Sequence, residues 1–134
     1  VQARAEELPF HDSAFDLVTM GFAMRNMESS LKTLQEIRRV LDAGGEVFIL
    51  ELGRPHNVLL RQMHRFWLAT YVKAVGLFLR RAKDPFIYLA QSIYEFFDPS
   101  EFRKLLLKAG FASPRYVALN NGIAGVYIAQ KPHS

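Results

Sequence analysis

A chain of 134 residues, half of them hydrophobic and 22% charged, is long enough for one domain with a real core and too apolar to be disordered. Its net charge of +4 favours phosphate-bearing surfaces in general without selecting one. The lack of cysteine excludes a disulfide framework and thiolate metal sites and fits the cytosol; His11, His56, His64 and His133 are not spaced as metal ligands, and nothing resembles a signal peptide.

The segment 1–3 has the character of a strand end, and "AEELPFHDSA" is a loop with turn residues Pro9, Asp12 and Ser13. Because the chain starts at Val1 without methionine and without tail-like composition, it is expected to be a piece of a longer protein. The apolar run "FDLVTMGFA", with Leu17, Val18, Met20 and Phe22, predicts a strand. In "SSLKTLQEIRRVLDA", Leu31, Leu34, Ile37, Val40 and Leu41 recur at three- and four-residue spacing, an amphipathic helix with Ser29 or Ser30 as N-cap and Gly44 as its stop. "EVFILEL" then predicts a strand buried on both faces of a parallel sheet. Gly44 and Gly45 follow a helix and precede a strand, the reverse of a phosphate-cradling loop, so they form a helix-to-strand turn. Strand, helix and strand within about thirty residues make a βαβ unit.

The segment "VLLRQMHRFWLATYVKAVGLFLRRAKDPFIYLAQSIYEFF" is rich in large apolar residues and studded with Arg61, Arg65, Lys73, Arg80 and Arg81. Its charge-free stretches fall short of the roughly eighteen apolar residues a membrane span needs. Two readings stay open for it: one or two core helices with basic ends, or an amphipathic lid over an apolar ligand or against anionic lipid. "DPSEFRKLLLKAGF" is a helix with Asp98 as N-cap, Pro99 at the first position, Glu101 in a capping box and Gly110 as stop. "PRYVALN" and "GVYIAQK", separated by the turn-rich "NNGIA", predict an antiparallel pair.

Three stretches carry a resemblance: "AEELPFHDSAFDLVTMGFAMRN", "RVLDAGGEVFILELG", and "YLAQSI" together with "NGIAGVYIA". They resemble the ubiquinone/menaquinone biosynthesis C-methyltransferase family along essentially the whole chain. The resemblance implies an α/β fold, the C-terminal half of a Rossmann-like class I methyltransferase sheet with parallel strands and an antiparallel last strand. Residues 1–134 are then the C-terminal part of one methyltransferase domain, with a helical lid-like insertion at about 56–97. The family's glycine-rich loop and its ribose-gripping acid are not in these residues, so this chain alone is expected to be inactive and not to bind the cofactor. Strands Phe15 to Met20 and Glu46 to Leu52 are expected to be central, and with its neighbour absent the former should expose an apolar edge prone to pairing with another copy.

The implied reaction moves a methyl group from S-adenosylmethionine to a ring carbon of a polyprenylated quinol, at the inner face of a membrane. The resemblance assigns Arg25 and Asn26 to the active site: an arginine beside the acceptor hydroxyl favours the phenolate, or orients the water that removes its proton, and Asn26 donates to an oxygen. The other fate of such a pair is a solvated helix entry. The resemblance also places cofactor contacts on Arg4, Ala5 and Gly21, although small residues such as Ala5 and Gly21 equally suit any crowded strand end, and Arg4 stands where the family has Asp or Asn for the adenine amino group and lacks an acceptor. Asp42-Ala43, Ala23 and Gly53 also depart from the family pattern. His11 and Asp12 offer a base or a turn, Glu51 a pocket residue or a loop cap, and Trp67, Tyr71 and Phe78 a prenyl-tail groove or ordinary core. The expected partners are the quinol, peripheral contact with anionic membrane, a cytoplasmic setting and a second copy of the chain, with no nucleic acid. The rivals are a divergent methyltransferase acting on another acceptor, and a non-catalytic lipid- or partner-binding module that lost the cofactor site.

Overall fold

A computed structural model of the chain describes residues 2–54, 57–78 and 83–133, without the side chains at 72, 73, 75–78, 83–87 and 90. Val1, His56, Arg80 and Arg81 lie outside the described residues, and Lys73 and Phe78 outside the described side chains. Of the expected strand end at 1–3, the described residues Gln2 and Ala3 are in no strand, and Arg4 and Glu7 bridge a tight turn, the Glu7 N–H donating to the Arg4 carbonyl at 3.1 Å.

Strand β1 (Phe15–Gly21) is followed by a 3₁₀ turn (Met24–Asn26) and helix α1 (Ser30–Val40). Ser29 is the N-cap, its hydroxyl accepting from the Lys32 N–H at 3.3 Å, while Arg38 and Arg39 in the last turn complement the helix dipole. The helix stops at Val40 and not near Gly44, because fully buried Leu41 already takes an extended backbone (φ −74°, ψ 141°) and opens strand β2 (Leu41–Leu52). Gly44 has φ +78° and sits where the pairing with β1 slips from Phe15–Leu41 to Leu17–Glu46. Its N–H donates to the Lys131 carbonyl at 2.9 Å, and the Lys131 N–H donates to the Gly45 carbonyl at 2.8 Å. A Cβ on Gly45 would lie 3.0 Å from the carbonyl oxygens of Asp16 and Asp42. Two crowded backbones, rather than an anion, occupy the glycine pair.

Helix α2 (Val58–Phe78) and helix α3 (Lys83–Glu95) form a hairpin, and helix α4 (Pro99–Lys108) carries the capping box of Asp98 and Glu101, with Gly110 at φ +93° just past its end. Strands β3 (Ala112–Leu119) and β4 (Ala124–Gln130) complete a sheet of order β1-β2-β4-β3, parallel between β1 and β2 and antiparallel elsewhere. The core lies between one sheet face (Val47, Ile49, Tyr127, Ala129) and the helix residues Leu34, Ile37, Phe102 and Leu106. Phe48, Leu50 and Leu52 on the other face are only half-buried, so β2 is not covered on both sides as its composition suggests. Two-sided burial needs a second helical layer, and the described helices that pack on the sheet supply one.

β2 is central, whereas β1 is an edge, with Phe15 and Leu17 exposed. α2 is not a core helix, since Leu59, Met63 and Phe66 face solvent; α3 roots in the core through Ser92 and Ile93, followed by Phe96.

An open edge with apolar side chains is a template for strand pairing. The 134-residue chain is expected to self-associate in sedimentation velocity, and Leu17→Lys to shift it toward monomer. An unchanged distribution would place the contact elsewhere.

Candidate active site at the end of the parallel strands

Because β1 and β2 run parallel, their carboxyl ends open on the same edge, where ligands bind in open α/β sheets. β1 ends at Gly21, beside which a Cβ would meet nothing within 4 Å, so the space against this backbone is open. Phe22 donates its N–H to the Leu50 carbonyl at 2.8 Å and takes φ 55°, a costly conformation for a bulky residue and one that gathers at functional sites. The 3₁₀ turn follows, and its fully buried Met24 fixes Arg25 and Asn26 at the strand end.

Glu51, 1% exposed near the end of β2, organises this corner. Its Oε1 accepts the Met24 N–H at 2.9 Å and its Oε2 accepts Arg25 Nη1 at 2.8 Å. Of the two roles open to Glu51, the structure therefore has the loop cap. The Arg25 side chain is 10% exposed, and its Nε–H is buried without an acceptor. An orphaned buried donor costs about 1–3 kcal/mol, which an acceptor atom on a bound molecule would recover. Tyr88, on α3, donates its hydroxyl to Asn26 Oδ1 at 2.9 Å, leaving the Asn26 amide N–H groups as donors. Sequence reasoning did not single out Tyr88; its signal was its place at the start of "YLAQSI".

Arg25, Asn26 and Gly21 thus meet at one end of the sheet. Ala5 lines an open cleft of about 300 Å³ along the β1 edge, with Leu8, Phe10, Phe15, Leu17 and Met20. Arg4 is turned along the surface to Glu28, with Glu6 at 3.8 Å, and these carboxylates, Glu28 foremost, hold its guanidinium still more firmly protonated. Asp12 accepts from Arg39 Nη1 at 2.6 Å, and Arg39 also binds Glu36 and the Leu8 carbonyl, so the loop bearing His11 and Asp12 is a latched turn. A second open groove, of about 420 Å³, is lined by Leu60, Met63, His64, Trp67, Asn121 and Ile123. Burial lowers the His64 pKa and favours its neutral ring. Among the described residues no group of His, Cys, Asp or Glu could hold a metal ion.

A βαβ unit continued by an antiparallel pair, with a polar cluster at the parallel strand ends, is the fold of Rossmann-like methyltransferases. A SAM-dependent methyltransferase of Thermotoga maritima aligns with a TM-score of 0.68 at 19% identity, covering 98% of this chain and 63% of that one. A Haemonchus contortus phosphoethanolamine N-methyltransferase solved with S-adenosylhomocysteine aligns with a TM-score of 0.62 at 15% identity, covering 96% of this chain and 36% of that one. These likenesses show the fold. The chain belongs to the ubiE/COQ5 methyltransferase family, whose profile matches residues 1–131. It is 37% identical over 132 residues to the demethylmenaquinone methyltransferase of Protochlamydia amoebophila and 32% over 131 residues to that of Staphylococcus saprophyticus. Each match covers 98% of this chain, which spans about half the length of those relatives, 54% and 56% respectively.

Breaking a buried ion pair from one side strands the other charge, at a cost of about 3–5 kcal/mol. Glu51→Ala is expected to lower stability by roughly that amount in urea unfolding, and Glu51→Gln by less, since an amide oxygen still accepts the Met24 N–H. A loss below about 1 kcal/mol for Glu51→Ala would mean that water replaces the carboxylate.

Proposed function

We propose that this chain forms the acceptor side of an enzyme that transfers a methyl group from S-adenosylmethionine to a ring carbon of a polyprenylated quinol. The observation that carries the proposal is Arg25: a nearly buried guanidinium, anchored on Glu51 through Nη1, whose Nε–H lacks an acceptor at the end of β1. A ring carbon is nucleophilic when the neighbouring hydroxyl is ionised, because the oxygen's charge is delocalised onto the ortho carbon. Arg25 donates to that oxygen and stabilises the anion, and Asn26, held by Tyr88, orients it. The hydroxyl proton leaves to water, since an arginine cannot take it; as the methyl bonds to carbon its old bonding pair would stay on the sulfur of the methyl donor, and the ring C–H proton then leaves to water as well, restoring the aromatic ring.

The residues fit the cofactor's rim. The small side chain of Ala5 in an apolar cleft suits the flat face of a base, and the open space beside Gly21 admits a ligand against the backbone. When bound, S-adenosylmethionine supplies an electrophilic methyl on a sulfonium. Arg4, committed to Glu28, leaves adenine recognition to other groups. The apolar groove walled by Leu60, Met63, Trp67 and Ile123 suits an isoprenoid tail, which favours a prenylated acceptor over a small polar one. The demethylmenaquinone methyltransferases among the relatives support a quinol acceptor.

In a protein spanning the relatives' full length, Arg25→Lys is expected to lower kcat by about 10²-fold or more, the scale of losing one oxyanion donor. Calorimetry with S-adenosylmethionine should give a nearly unchanged Kd. An equal loss of cofactor affinity would move Arg25 into the cofactor site and sink the assignment.

A further inference from the structure

We infer that the ring of Phe22 is the face against which the sulfonium of the methyl donor lies, a cation–π contact that sets the charged donor apart from its neutral product; the inference rests on the methyl-transfer reading of this site. Phe22 holds φ 55°, in the left-handed region, where a bulky side chain is a costly outlier. The backbone does not require phenylalanine there. Its N–H donates to the Leu50 carbonyl at 2.8 Å, and glycine or asparagine would donate as well while holding that φ at less cost. The core does not require it either: the ring is 44% exposed and, among the described residues, belongs neither to the buried cluster nor to the side chains packed on it, a place that Met24 fills two residues on. Strain that serves neither pairing nor packing is the kind that gathers at ligand sites.

The neighbours of Phe22 set the chemistry of that ligand. Gly21 precedes it, with nothing within 4 Å of a Cβ built there, and Arg25 follows, nearly buried and with its Nε–H lacking an acceptor. Glu51 has both oxygens committed, one to the Met24 N–H and the other to Arg25 Nη1. A second cation entering beside this guanidinium therefore needs a negative partner other than that carboxylate. An aromatic face supplies one through its quadrupole. It also suits an electrophilic methyl better than an acid would, because a carboxylate held against the methyl is itself a nucleophile, whereas an unactivated benzene ring has no lone pair to offer. The neutral thioether left after transfer gains nothing from the quadrupole. A wall acting by apolar contact alone would hold donor and product alike, so the difference between the two isolates the electrostatics of the ring.

The test is calorimetry, in a protein spanning the relatives' full length, with S-adenosylmethionine and with S-adenosylhomocysteine, which differ at sulfur by a methyl group and a positive charge. Phe22→Leu keeps an apolar side chain and the same backbone strain. It is expected to weaken S-adenosylmethionine by about three- to tenfold, the scale of a cation–π contact, while the Kd of S-adenosylhomocysteine stays within about twofold and so reports an intact site. Phe22→Tyr, which keeps an aromatic face, should restore the preference for the charged compound. The strain is read without ligand: Phe22→Gly should melt at a higher temperature than Phe22→Ala, the reverse of the usual order of these two residues. A glycine variant melting at or below the alanine variant would show an unstrained backbone and overturn the inference. Equal weakening of both compounds by Phe22→Leu, or an unchanged ratio between them, would overturn it while leaving the methyl-transfer reading in place, whereas an unsubstituted protein that bound neither compound would overturn both.

Discussion

The arrangement of the sheet end depends on one carboxylate placed where a carboxylate is expensive. Glu51 is at a central-strand position, shielded from water, and burying a charge costs several kcal/mol unless it is paired and hydrogen-bonded. Both of its oxygens are used, one on a backbone N–H and one on a guanidinium. The first contact fixes the 3₁₀ turn by its opening residue, which is also pinned by the buried Met24 side chain. The second fixes the direction of Arg25. Because the same residue terminates an apolar run and meets the chain leaving the neighbouring parallel strand, the βαβ crossover and the polar corner are set by a common constraint.

That coupling explains which parts of the molecule the sequence made legible. Local signals held where one element decides the outcome: the Ser29 cap, the capping box of Asp98 and Glu101, the Gly110 stop and the antiparallel terminal pair. They failed where a neighbouring strand decides. Gly44 looks like a helix stop because glycine is the usual residue there, but its positive φ serves the bulge created when β2 pairs with both β1 and the Lys131 end of the chain. The apolar run of β2 suggested two covered faces, and composition alone carries no information on how many helical layers a sheet receives. The pair Arg25 and Asn26 was visible through the family resemblance alone, since its partners Glu51 and Tyr88 lie 26 and 62 residues away along the chain.

The backbone around the corner is tense in a way that fits a binding edge. Phe22 at φ 55° gives its N–H to Leu50 and so remains in register with β2, while its side chain is left 44% exposed beside an unobstructed Gly21. A residue with no Cβ restriction would relieve that strain. The phenylalanine keeps an aromatic face next to open space at a cost of about 1–3 kcal/mol, offset by strand pairing and by the buried anchor two residues later.

The α2–α3 hairpin joins this corner to the surface by graded burial. At its foot, Ser92 and Ile93 on α3 are in the core, and the Phe96 carbonyl just beyond accepts from Arg54 Nη2 at 2.9 Å. In its middle, Tyr88 reaches Asn26 while remaining 56% exposed, so the contact forms at the surface of the site and is open to competition from a ligand or water. On its outer side α2 presents large apolar groups to solvent, while its α3-facing side places Arg65 5.9 Å from the Tyr94 ring centroid, a cation over an aromatic face. Stability therefore falls from foot to outer face, and elements at the low end of such a gradient are the ones able to move without unfolding the core. The hairpin is thus fixed at one end, holds Asn26 from its middle and bears an apolar groove along α2, while Glu51 keeps Arg25 in place independently of it.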